Sequence, residues 1–407
     1  METPSISYCK LTIYLLVFMN SGFYFFSHNA VFTLILSAPL VIISFIHKKN
    51  NSYTFQYTRI NRYIIIIYLF MFVEFLRLMM SSNILELKGI FSLVFPYFYL
   101  MLAFPILDVL FRDNSLSFFK NVICINIIAT LFRFLIWYIY NFKGVLYFSS
   151  IFQEHGFDWV RNGLVRLDAP PLDGLSFVSM VFILYFSKSM TRKIFSLSVL
   201  ALLFSYSWFV YNSRSQMICY ILTMMFMYFI KPVKFKSDFL IKNFVIMIFM
   251  LIFLLHFSYV INFINTFTSG NMLNSTLTRV NEYEFFYKMF SQNVFNFLFG
   301  IGITQDLFNI GYVQYYLSDL GILGFTFTYG LIGLYIFFKK FIIDFIYGLS
   351  RIKNTKNVNL VFMLGIIFYT ILSSILSQDV FDYVRIFAVP FILSIIEKIR
   401  FEVSRHS

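Results

Sequence analysis

The chain has 407 residues, 59% of them hydrophobic and 13% charged, with a formal net charge of +13. Soluble domains carry about 25% charged residues, so this composition excludes one. The positive charge sits in short stretches between apolar runs, which argues for orientation of a membrane protein and against nucleic-acid binding.

In chain order the apolar runs are 11–27, 30–46, 63–80, 90–110, 121–142, 172–187, 194–210, 216–230, 243–263, 314–338, 358–377 and 386–399. About twenty apolar residues cross a bilayer core. The expected fold is therefore all-α, a single polytopic membrane domain over 1–407 with about 12 transmembrane helices. Runs 172–187, 216–230 and the last are marginal in length, so the count could fall to ten. The short alternating segments of an outer-membrane barrel are absent. Lys10 precedes the first run and no small-residue cleavage site follows, so that run is expected to remain as a span. With the N-terminus inside, the lysine-rich loops around Lys48, Lys188, Lys231 and Lys339 face the cytoplasm, as do both termini.

Two outer segments are long, 143–171 and 264–313, the second expected to hold short helices. Inner loops are short, and no phosphate-binding glycine loop with its lysine occurs. The outer loops are rich in arginine: Arg161, Arg166, Arg214, Arg279 and Arg385. Orientation disfavours outer arginines, whereas a planar fork of donors suits bidentate phosphate binding. The alternative is local pairing with Asp158, Asp168 or Glu282.

Around Arg279 the sequence LTRVNEYEFFYKMF suggests a helix. Leu277, Val280, Tyr283, Tyr287 and Phe290 fall on one side, and Arg279, Glu282 and Phe286 on another. Gly300 and Gly302 suit a tight turn after it. Gly321, Gly324, Gly330 and Gly333 have the spacing of close helix packing. Asp319, at the outer end of run 314–338, is an ionisable group near membrane depth and a functional candidate, or else an interfacial carboxylate. Within spans, Glu74 and Arg77 are expected to pair, and Arg133 to face a polar interior. Residues 341–357 read either as an interfacial helix or as a continuation of the preceding span. The three cysteines and five histidines match no disulfide framework or metal site.

Several of these stretches resemble the O-antigen polymerase and ligase superfamily. They are Ser213-Arg214-Ser215 at the outer junction of two spans, Thr276-Leu277-Thr278-Arg279, Phe299-Gly300-Ile301-Gly302-Ile303, and Tyr316 to Gly324 (YLSDLGILG), with Arg161 and Arg166 in the other long loop. Ligases carry a His-Asn pair about eleven residues before the glycine that opens L-G-I-L-G (Gly321); here the region reads Asn309-Ile310-Gly311, which favours the Wzy-type polymerase branch.

The resemblance implies a fold like the C-type glycosyltransferases, in the bacterial inner membrane. The implied reaction is metal-independent, inverting glycosyl transfer at the periplasmic face, with no cofactor. Undecaprenyl-diphosphate-linked oligosaccharide would be both donor and acceptor, among membrane lipid and with a chain-length regulator as a partner. It implies catalytic roles for Asp319, Glu282 and Arg279, and binding of diphosphate or sugar by Arg161, Arg166, Arg214, Arg279, Arg385 and Asp173, the last also a third candidate to orient or deprotonate the acceptor. The competing readings are O-antigen ligase, and a flippase of lipid-linked oligosaccharide, which would need no long outer loop.

Overall fold

The computed structural model describes residues 4–23, 30–47, 54–81, 95–112, 115–152, 159–161, 163–232, 271–302, 307–310, 313–317, 320–355, 357–376, 381 and 385–405. The helices are α1 (Pro4–Phe23), α2 (Ala30–His47), α3 (Thr54–Ser81), α4 (Ala103–Arg112, entered through a 3-10 helix at Phe95–Leu102) and α5 (Ser115–Lys143). They continue with α6 (Asp173–Phe186), α7 (Met190–Ser205, ending in a π-helical turn at Tyr206–Val210), α8 (Arg214–Ile230), α9 (Asn271–Phe290), α10 (Val294–Phe299), α11 (Ile322–Thr355), α12 (Val358–Leu376) and α13 (Val389–Arg405, after a 3-10 turn at Arg385–Ala388). Two antiparallel hairpins interrupt them: β1 (Val160–Arg161) with β2 (Leu164–Val165), and β3 (Leu307–Ile310) with β4 (Val313–Tyr316).

Among the described residues, six stretches, within α1, Phe95–Arg112, α5, α7, α11 and α12, are long and apolar enough to cross a membrane. Expected span 243–263 lies outside the described residues. The stretch Phe95–Arg112 is the most enclosed, with 78% of it buried. It packs on α13, where Ser394 Oγ donates to Ala103 O at 3.0 Å. Meanwhile α12 packs on α6, α8 and α11. Large apolar side chains point outward, among them Leu69 and Phe72 of α3, Leu135 of α5 and Ile346 of α11. Ionic groups such as Glu74, Arg133, Asp344 and Glu397 are buried. Apolar outside and polar inside is the arrangement a lipid solvent favours, and it is compatible with a multi-pass membrane protein.

Among the described residues, many of the buried charges fall in two layers, while Asp108, paired with Arg112, and Glu282 belong to neither. In one, Arg59 of α3, Lys340 and Asp344 of α11, and Glu397 and Arg400 of α13 make a network of ion pairs. In the other, Glu74 pairs with Arg77 at 2.9 Å, as expected, and Arg385 lies near Asp168 and Asp173. At helical rise the layers stand about 22 Å apart along α3 and about 20 Å along the Arg385–Arg405 segment.

Two expectations change, at 314–316 and at Gly330, and the open alternative at 341–357 is decided. Residues 314–316 belong to strand β4, so the helix from run 314–338 starts only at Ile322. That helix continues through 341–355 with no separate interfacial segment. Gly330 is not a packing glycine in a regular helix: at φ 69° it breaks α11, and a Cβ there would stand 2.2 Å from Leu298 O. Lastly, Glu282, Phe286 and Phe290 are the buried stripe of α9, whereas Val280, Tyr283 and Tyr287 are exposed. The packed face therefore takes Phe290 from the apolar side of the wheel and Glu282 and Phe286 from the other, and Phe327 and Leu317 meet it at Phe286 and Phe290.

Candidate functional site

The site is built where helices α6 and α8 begin. Pro170 and Pro171 stop any helix upstream of α6, and Asp173 N–H closes its first turn on Pro170 O at 3.0 Å. Helix α8 begins after Asn212, which takes the left-handed conformation (φ 51°). Ser213 then caps it, its Oγ accepting from Gln216 N–H at 3.4 Å and contacting Ser215 Oγ at 2.9 Å. The Ser213-Arg214-Ser215 run is thus a helix start, and it places Arg214 in the first turn of α8.

Gln216 joins the two helix starts. Its Nε2 donates to Asp173 Oδ2 at 2.6 Å and to Tyr369 Oη of α12 at 2.7 Å. Tyr220 Oη donates to the same carboxylate oxygen at 2.9 Å, while Gly174 N–H takes Oδ1 at 2.6 Å. Gly174 has to lack a Cβ, because the Tyr369 ring occupies that space. Arg385 comes in from the start of the α13 segment, 3.9 Å from Asp173 and 3.8 Å from Asp168. A cavity of about 30 Å³ opens among Asp173, Tyr369, Thr370, Ser373 and Arg385, room for about one or two waters.

The β1–β2 hairpin brings two more arginines to this place. It turns at Gly163, φ 76°. Trp137 Nε1 and Asn141 Nδ2 of α5 donate to Val165 O, and Asn141 Oδ1 accepts from Val165 N–H. Leu167 N–H reaches Val210 O at 3.2 Å. So anchored, Arg161 donates to Asn212 O at 2.7 Å and Arg166 Nε to Tyr211 O at 2.9 Å. The Arg166 guanidinium stacks 3.9 Å over the Trp159 ring. Burial pushes the Tyr211 phenol well up from its ordinary range, so it is neutral when Arg385 donates to it at 3.5 Å. Below, buried Arg133 donates to Tyr206 Oη, which donates in turn to Asp168 O.

Of the residues named from sequence, the fold gathers Arg161, Arg166, Arg214, Asp173 and Arg385 around Tyr211–Gln216. Arg279 is exposed on α9 and Glu282 is buried on it, and α9 packs on α10, α11 and β4. Asp319 and Asp158 lie outside the described residues. Sequence reasoning missed Gln216, Tyr220 and Tyr369. Gln216 had one readable signal, its place three residues after a capping serine. The usual partner of a glutamine there is the cap's own backbone N–H, but this side chain instead donates to Asp173 and Tyr369.

Two helix N-termini and four arginines make an environment for anions, partly offset by Asp168 and Asp173. Among the described residues, no group of three or more His, Cys, Asp or Glu side chains could hold a metal ion. No protein-family model matches the chain, and no curated protein matches it.

Proposed function

We propose that this chain is a glycosyltransferase that polymerises undecaprenyl-diphosphate-linked oligosaccharide units into O-antigen or a related surface polysaccharide. In this reading it crosses the bacterial inner membrane about twelve times, with both termini in the cytoplasm and the Arg385 layer at the periplasmic side. The observation that carries the reading is the meeting of Arg161, Arg166, Arg214 and Arg385 at the starts of α6 and α8.

The chemistry asks for such a place. A lipid diphosphate is already a good leaving group, so no strong acid is needed. It requires positive charge where its oxygens become more negative. Each charge-assisted arginine–phosphate bond supplies about 1.5–3 kcal/mol. Asp173 accepts hydrogen bonds on both oxygens, so its part is to hold Arg385 and Gln216 in place. Orienting or deprotonating the acceptor hydroxyl then falls to Asp319 or Glu282, with Arg279 as a further phosphate donor.

The test is a glycolipid gel. Cells lacking the gene should display glycolipid with a single repeat unit. Arg385→Ala and Arg279→Ala should do the same with the protein still in the membrane. Long chains persisting in the deletion strain would overturn the reading, and loss of even the single repeat would point to a flippase.

A further inference from the structure

The segment Val294–Gly302 reads in sequence as part of a loop outside the membrane. Its structure has two properties that a water-exposed loop does not need. First, its apolar side chains point outward: Val294 is 74% exposed, Phe295 52% and Phe297 46%. The polar side chain in α10, Asn296, is turned inward and donates to Met289 O at 2.9 Å. Second, the irregular backbone after α10 is satisfied by protein. Gly300 N–H reaches Asn296 O, and Ile301 and Gly302 N–H reach Phe327 O and Thr328 O at 2.8 and 3.1 Å. The carbonyls of Phe299 and Gly300 both accept from the Arg77 guanidinium at 3.0 Å, whose charge Glu74 balances.

Non-helical backbone is tolerated at membrane depth only when other protein groups satisfy it, because hydrocarbon offers no hydrogen bonds. In water none of this would be required, and four exposed apolar side chains, Val294, Phe295, Phe297 and Leu298, on one six-residue helix would be costly. The surface is also continuous with apolar faces on either side. α10 packs on α11, which exposes Leu323, Leu331 and Tyr335, and its end is held by Arg77 of α3, which exposes Phe72 and Leu76.

We infer that α10 is a re-entrant membrane helix whose occupant is the acyl region of the surrounding lipid, with Arg77 closing its C-terminal carbonyls. This rests on the membrane reading alone and is independent of the proposed reaction. The break in α11 at Gly330 is where the re-entrant segment docks: the carbonyls of Phe327 and Thr328, whose helical donors would lie beyond the break, accept from Ile301 and Gly302 instead.

Single cysteines test it, placed at Phe295→Cys and Phe297→Cys in the full chain with Cys9, Cys124 and Cys219 replaced by alanine. Each is labelled with bimane and reconstituted in phosphatidylcholine nanodiscs, with Ser291→Cys, in the exposed turn before α10, as the aqueous reference. The expected result at 295 and 297 is blue-shifted emission, strong quenching by a nitroxide on the lipid acyl chain and loss of quenching by iodide. Quenching by iodide equal to that at 291 would overturn the inference. Protection from both quenchers, which would mean a protein partner over α10, would overturn it equally. Phe295 also touches Arg77, so position 297 decides if the two differ.

Discussion

Gln216 and Asp173 meet at 2.6 Å, each in the first turn of its own helix. One amide group thereby ties α8 to α6 and, through Tyr369, to α12.

Replacing Gln216 with leucine removes a donor from a buried carboxylate and from a buried phenol. A hydrogen bond to a charged group contributes roughly 1.5–3 kcal/mol, and a lower melting temperature of the detergent-purified protein should show the loss. Gln216→Glu should be worse at neutral pH, since it sets a second carboxylate against Asp173. A glutamate variant as stable as the wild type would refute the arrangement.

Arg385 is the shared counter-charge of Asp168 and Asp173. Arg385→Leu strands two carboxylates, one of them buried, and breaking such a pair costs about 3–5 kcal/mol when it is fully enclosed. Adding Asp173→Asn should recover part of the loss. A double-mutant cycle in thermal unfolding should give a coupling of about 0.5–3 kcal/mol, and strict additivity would show that the two groups do not interact.

Positive-φ glycines offer a graded comparison. Gly144 (φ 67°) has open space around its missing Cβ, whereas at Gly330 (φ 69°) a Cβ would fall on backbone atoms of Leu298 and Gly300. Gly144→Ala should cost about 1 kcal/mol for conformation alone. Gly330→Ala should cost more than that, or leave no folded protein, as read by melting temperature and yield from the membrane.

At the other charge layer, Lys340 bridges Asp344 and Glu397. Lys340→Met should destabilise by about 3–5 kcal/mol, because it leaves buried carboxylates short of a partner. The wild-type melting temperature should change little between low and 1 M salt, since buried pairs are weakly screened. A large salt effect would mean that the layer is hydrated.

Much of the helix plan was legible because an apolar run of span length has few other outcomes. Run 358–377 became α12 almost unchanged, and run 121–142 lies within α5, which starts six residues earlier at Ser115. The arginines of the site were legible for another reason: they fall in the stretches that the charge pattern assigns to the outer face, where orientation alone would disfavour them. Their convergence was not, because Asp173 and Arg385 are brought together only when α6 and the α13 segment pack on α12. The helical wheel of α9 separated its two sides but not which face would find a partner, so the buried stripe Glu282–Phe286–Phe290 was not legible. Glycine spacing told half the story at Gly330: the close approach is there, against Leu298 and Gly300, but the same residue also takes left-handed backbone, and composition does not separate the two uses.

The shared hydrogen bonds between residues 301–302 and 327–328 have a kinetic meaning. The amides of Ile301 and Gly302 are protected by carbonyls of a distant helix, so exchanging their hydrogens with solvent requires α11 to let go. Their exchange rates should follow the opening of α11 and not the fraying of a local turn. Segments far apart in the chain would then open as one cooperative unit, and a disturbance at Arg77, which holds the neighbouring carbonyls, should be felt as faster exchange at those two amides.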